Sequence, residues 1–360
     1  MSIQWKWHSA AAAAAGLLVS TATAWAGPVR FDGEGHAETP VWSLDGKYLA
    51  FEVNRLAGTI EMFISEVQGD VAGQSRVLKL PGASGPYGGD SGSVATNATF
   101  HPDGIILFEG SSSTGDYRIF YSKVTGSSPQ QFIGTDQLAG KLTFPSLSAD
   151  GSQLAFIGSA TGSGDLYVRS SADYKITQLT STSLTELSPL LSADGKRVVY
   201  SVRDNGAQDI FEMPVSGGSP TLVASGTGDQ TRPMYAAGGA IVYFDGARGE
   251  GIWDLAMVPS VGGKPMTLAR DVVLPTRARP CVTPDGKWVA FAHADPSRDD
   301  KIFLVSIDGN TTKEIPTGMK GAGDPAITVK DGRTLLAFTA LPADKADWRT
   351  LMVMDITDKL

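Results

Sequence analysis

Arg232 and Arg279 stand about one repeat length apart, and paired guanidinium forks at such a spacing suit a carboxylate or a phosphate. Arg277 lies just before Arg279, Asp324 and Glu38 add an acidic sector, and Phe144 adds an apolar contact. These six residues are the expected binding constellation. The competing reading is an ion pair between an arginine and Asp324 of neighbouring repeats, which at a surface contributes little. Under the binding reading, changing Arg232 and Arg279 to Glu abolishes binding and leaves stability nearly unchanged.

What positions them is a repeat. A Ser/Pro-x-Asp-Gly frame followed by an apolar strand returns about every 45 residues. It reads Ser43-Leu44-Asp45-Gly46, His101-Pro102-Asp103-Gly104, Ser148-Ala149-Asp150-Gly151, Ser192-Ala193-Asp194-Gly195, Thr283-Pro284-Asp285-Gly286 and Val329-Lys330-Asp331-Gly332, with a degenerate copy at Ala236-Ala237-Gly238-Gly239. Asp-Gly is a tight-turn dipeptide, because Gly takes φ > 0 and Asp caps the turn. The apolar runs that follow, such as Tyr48-Leu49-Ala50-Phe51 and Leu335-Leu336-Ala337-Phe338, read as strands buried on both faces. A third, alternating strand and a short outer strand complete each copy. Seven copies of four strands predict an all-β, seven-bladed β-propeller of four-stranded antiparallel blades. The last copy lacks its outer strand, and residues 28–31 are expected to supply it and close the ring, removing exposed sheet edges.

In that architecture the residue just before each first strand faces the channel mouth. The position holds Thr39, Asn97, Phe144, Ser188, Arg232, Arg279 and Asp324. It varies and is mostly polar, as a recognition surface would be. His36 and His293 fall on one face and His101 on the other, so no three-histidine metal site is expected. No metal and no cofactor are assigned. A Gly/Ser-rich insertion at 81–93, between blades one and two, contains Gly89-Asp90-Ser91-Gly92, which resembles the nucleophile segment of chymotrypsin-like proteases. A serine nucleophile needs an oriented histidine base, and the flexible-loop reading is preferred.

Residues 1–26 read as a signal peptide: Lys6, an apolar stretch from Ala10 to Val19, and Ala24-Trp25-Ala26 before Gly27. Residues 27–360 are expected to be one propeller domain. Cys281, the one cysteine, has no disulfide partner and reads as a small buried hydrophobe. The net charge of −8 argues against nucleic-acid binding.

The copies resemble the TolB-like (WD-like) propeller repeat. The residues that carry the likeness are Thr283-Pro284-Asp285-Gly286-Lys287-Trp288-Val289-Ala290-Phe291, the matching stretch from Ser43 to Phe51, and Asp-x-Tyr/Phe in third strands at Asp165-Leu166-Tyr167 and Asp209-Ile210-Phe211. TolB itself carries an α/β domain before six blades, whereas here the blades follow the leader directly. The resemblance implies an exported bacterial protein, periplasmic or secreted. A rigid ring that presents variable loops from many blades, with no assembled catalytic group, points to a monomeric, noncatalytic platform that binds an envelope or secreted protein or peptide over its channel face, without membrane insertion. The alternative is a propeller hydrolase or lyase acting on an acidic carbohydrate or peptide in the channel.

Overall fold

The computed structural model describes residues 27–32, 34–55, 58–81, 92–111, 115–297, 299–342 and 348–360. The leader and most of the 81–93 insertion, including Tyr87 and Gly89-Asp90-Ser91, lie outside them.

The fold is all-β and is a propeller built from four-stranded antiparallel sheets. Leu142–Leu147, Gln153–Gly158, Asp165–Ser170 and Ile176–Gln178 pair in chain order, and the fourth copy repeats this with Thr185–Leu191 through Thr221–Ala224. The degenerate fifth copy is equally complete, with Gln230–Tyr235, Ile241–Asp245, Trp253–Val258 and Met266–Val272. Its Asp-Gly turn is replaced by a short turn at Ala237–Gly239, in which Gly238 sits at φ 70. Gly27–Pro28 pairs with Met352 and Val353 of the last copy, and the Val29 amide extends the contact to the Leu351 carbonyl at 2.8 Å.

The repeat motifs have a packing reason. In five of the seven copies the aromatic of the second strand lies opposite an aromatic of the third: Phe51 with Phe63, Phe108 with Phe120, Phe156 with Tyr167, Tyr200 with Phe211 and Phe291 with Phe303. Their ring centroids lie 5.6–6.3 Å apart, the range of favourable ring contact. Hydrophobic clusters fill the space between successive copies. One joins Leu335, Ala337 and Val353 of the last copy to Leu49, Phe51 and Val53 of the first.

The turns satisfy themselves locally. The Ser43, Ser148, Ser192 and Thr283 hydroxyls donate to Asp45, Asp150, Asp194 and Asp285 at 2.6–2.7 Å. The same hydroxyls accept the amides of Tyr48, Gln153, Arg197 and Trp288, and each Asp accepts an amide two residues on. These donors hold the Asp150 carboxyl down at about 2. Successive turns also touch: a Cβ on Gly286 would meet the Ala237 amide at 2.4 Å, so this glycine is required by crowding as well as by its φ of 71.

Candidate functional site

The inner strands carry the site, and their construction differs from expectation. In six copies the register position, Thr39, Asn97, Phe144, Ser188, Arg232 and Asp324, lies inside the inner strand, at a bulge, not ahead of the strand; Arg279 precedes its strand, Cys281–Val282, as expected. Pairing jumps there from Glu38 to Val41, Thr96 to Thr99, Thr143 to Ser146, Leu187 to Leu190, Thr231 to Met234 and Gly323 to Ala326. All six residues take positive φ, between 45 and 53. For a residue with a Cβ that conformation costs on the order of 1–3 kcal/mol, and it persists only where the surroundings enforce it. The following residue is Pro in five of these bulges (Pro40, Pro145, Pro189, Pro233, Pro325), as it is after Arg279, and Pro loses nothing where the ladder is interrupted.

Buried acids enforce the bulges. Glu52 accepts the Asn97 amide at 3.0 Å, and Glu109 accepts the Phe144 amide at 2.7 Å and the Thr96 hydroxyl at 2.8 Å. Asp324 accepts the Thr39 amide. Burial raises the Asp324 carboxyl, a shift partly opposed by Arg349.

The bulges and the strand residues after them enclose a cavity of about 310 Å³. The position two residues beyond the bulge register lines it in every copy: Val41, Thr99, Ser146, Leu190, Met234, Cys281 and Ala326. This is the ring the sequence offered, displaced by two residues from the one read as the channel mouth. Of the expected positions, Thr39, Asn97, Phe144 and Arg279 line the cavity, as does Arg277; Ser188, Arg232 and Asp324 do not. Cys281 is half-buried and faces the cavity, and burial pushes its thiol up to about 12, so it stays protonated.

The three arginines do different work from that expected. Arg279 donates to the carbonyls of Ser188 (3.0 Å), Pro189 (2.7 Å) and Pro233 (2.9 Å), reaching across to the bulges of the fourth and fifth copies. Arg232 donates to the carbonyls of Pro275, Thr276 and Ala278. Both guanidiniums are thus spent largely on backbone and are not set as a free pair of forks. Burial pulls Arg279 down to about 9 and Arg232 to about 10. No ion pair joins either arginine to Asp324 among the described residues. The ion pair that does form belongs to Arg277, which bridges Glu38 at 2.8 Å and Glu52. Burial pushes Glu52 up to about 7 against the opposing pull of Arg277, with Glu109 adding to the rise. Glu52 and Glu109 escaped the sequence reading. Their signal is an acid directly after the aromatic of an apolar strand, Phe51-Glu52 and Phe108-Glu109.

The histidines stay apart in their interactions. His36 packs on Trp348 at 5.0 Å, His293 meets Phe303 edge-on at 5.8 Å, and His101 accepts the Asp103 amide at 3.1 Å. Among the described residues no group of three His, Cys, Asp or Glu is arranged to hold a metal ion. No helix among them is long and apolar enough to cross a membrane.

The sequence matches the TolB beta propeller domain over residues 129–330, more than half of the chain. The chain belongs to the TolB β-propeller family. Solved structures agree on the fold. A protein described as TolB from Agrobacterium tumefaciens is 18% identical, with a TM-score of 0.53 over 76% of this chain and 91% of that one. An oligogalacturonate lyase from Vibrio parahaemolyticus is 10% identical, with a TM-score of 0.60 over 94% and 92%. A puromycin-hydrolysing peptidase from Mycobacterium tuberculosis is 13% identical, with a TM-score of 0.66 over 90% of this chain, which spans about half (51%) of that protein. No curated protein matches the sequence. At these identities the likenesses establish the TolB-like propeller fold and leave activity to be argued from the site.

Proposed function

We propose that this protein is an exported, monomeric, noncatalytic platform: a closed ring of seven blades that binds an envelope or secreted protein or peptide over the mouth of its inner cavity. The observation that carries the reading is the cavity itself, to which every repeat contributes the same register position. Closure is supported by the pairing of Gly27–Pro28 with the last copy and by the hydrophobic cluster between the last and first copies. Binding is supported by the walls. Val41, Leu190, Met234 and Ala326 give the cavity an apolar lining, half-exposed Phe144 and Trp42 add aromatic area, and strained bulges hold the shape. Export rests on the leader at 1–26, and cleavage there predicts a mature chain beginning at Gly27, readable by intact mass.

The test is in-cell crosslinking and affinity capture, comparing the wild type with Leu190→Lys, which places a charge among the apolar walls. A small, reproducible set of envelope or secreted proteins, lost in the variant, supports the reading. A set unchanged by the variant, or an empty capture, contradicts it.

The enzyme alternative would use Glu52 as its acid, a carboxyl that burial pushes up to about 7 and that does not itself line the cavity. Arg277, bonded to both Glu52 and Glu38, occupies the space between the two carboxylates that a substrate bond would need. Turnover of acidic glycans or peptides that disappears in Glu52→Gln would establish that alternative.

A further inference from the structure

Arg277 and Arg279 lie two residues apart and line the same cavity, yet their electrostatics differ. Arg277 has two carboxylates in place. Arg279 has carbonyls only, and the one charged group acting on it is the like-charged Arg232. Carbonyl dipoles orient a guanidinium without cancelling its charge, and a cation kept from water without a counter-ion is costly. A cavity that presents such a cation is built to gain by admitting an anion.

The walls decide which anion. Val41, Leu190, Met234, Pro280 and Ala326 supply much of the wall, Asn97, Thr99 and Ser146 add uncharged polar groups, and Arg277 is already neutralised by Glu38 and Glu52. That leaves one cation without a counter-ion, which matches a single negative charge better than the several charges of a phosphate or a polyanionic sugar. The volume, about 310 Å³, is at the small end of ligand pockets. It suits one anionic group and one apolar group arriving together. A polypeptide carries both on a single residue only at its C-terminus, where the main-chain carboxylate and the last side chain share one Cα.

We propose that the cavity receives the free C-terminal residue of a partner polypeptide, its α-carboxylate facing Arg279 and its apolar side chain packed on the Leu190–Met234–Ala326 wall. This deepens the platform reading and rests on it. A charge-assisted bond to a partly desolvated guanidinium supplies affinity, and the apolar wall supplies selectivity for the last side chain.

The experiment uses the full chain and fluorescence anisotropy, with N-terminally labelled pentapeptides ending in Leu, Met or Val, each made as the free acid and as the C-terminal amide. At least one free acid is expected to bind, with its amide bound at least tenfold more weakly. Ala326→Phe, which fills the cavity and leaves the bonds of Arg279 in place, is expected to abolish binding; Leu190→Trp fills it from another wall should the first variant fold poorly. Equal binding of acids and amides, binding that survives a filled cavity, or no binding by any free acid up to millimolar concentration overturns the proposal. The acid–amide comparison on the unaltered protein decides even if neither variant folds. A captured partner that still binds after its C-terminus is amidated or extended refutes this inference and leaves the platform reading standing.

Discussion

The Asp-Gly turns and the bulges of the inner strands solve the same problem in opposite ways. At the Asp-Gly turns each polar group finds its partner within five residues, as Ser148 does with Asp150 and Gln153. At the bulges partners come also from other copies: Arg277 reaches Glu52 across 225 positions of sequence, and Arg279 reaches Ser188 across 91. A local solution can be lost in one copy without consequence for its neighbours, and the fifth copy has in fact replaced it. A solution that joins distant copies links several of them, so damage to it spreads.

That contrast ranks the consequences of mutation. Arg277→Gln leaves Glu52 buried without its counter-charge. It is expected to cost about 3–5 kcal/mol at pH 8 in urea unfolding, with much of the loss recovered in the Arg277→Gln/Glu52→Gln double variant. Failure of the double variant to recover would show that the bridge is not what couples these copies. Arg279→Met exposes the Ser188, Pro189 and Pro233 carbonyls to an unsatisfied cavity and is expected to cost about 2–3 kcal/mol. Replacing Arg232 and Arg279 by Glu would set carboxylates against carbonyls. The expectation that such a variant keeps its stability is therefore reversed, and a lowered Tm is predicted.

The same contrast has a pH signature. The folded state holds the Glu52 proton to about pH 7, against an ordinary value of 4.5. The folded state thus binds more protons between these values, so the contribution of Glu52 to stability is fully present below about 4.5 and is lost as pH rises through about 7. Glu52→Gln should flatten the dependence of the unfolding midpoint across that window. An unchanged slope would place the proton elsewhere. The smallest effect is expected at the turns: Ser148→Ala, which removes one shared hydroxyl, should cost about 1 kcal/mol without altering its neighbours.

The legibility of the sequence follows the same division. The turns, the buried second strands and the repeat were readable because their causes are local: Asp-Gly chemistry, apolar runs, and aromatics recurring at a fixed offset. Ser192-Ala193-Asp194-Gly195 needs nothing beyond its own hydrogen bonds to declare itself. The register of the site residues was readable, and the backbone partners of their guanidiniums were not. Arg232 and Arg279 are unusual at their positions, but whether a guanidinium meets a ligand or a distant carbonyl depends on chain that lies far away in sequence. The two-residue offset between bulge and cavity lining has the same origin, because a bulge changes which side of the strand faces inward and only strand pairing reveals it. Glu52 was hidden by an apolar strand that otherwise reads as core.

The central claim, that a partner engages the cavity mouth, is tested most directly by site-specific photo-crosslinking in cells. A photoreactive phenylalanine analogue is placed at Phe144, which lines the cavity, and in a second protein at Tyr174, 64% exposed in the turn between Asp165–Ser170 and Ile176–Gln178 and outside the cavity lining. The account predicts a discrete, light-dependent adduct from position 144 and none of the same mass from position 174. Adducts of equal mass and yield from both positions, or from position 174 alone, would contradict it.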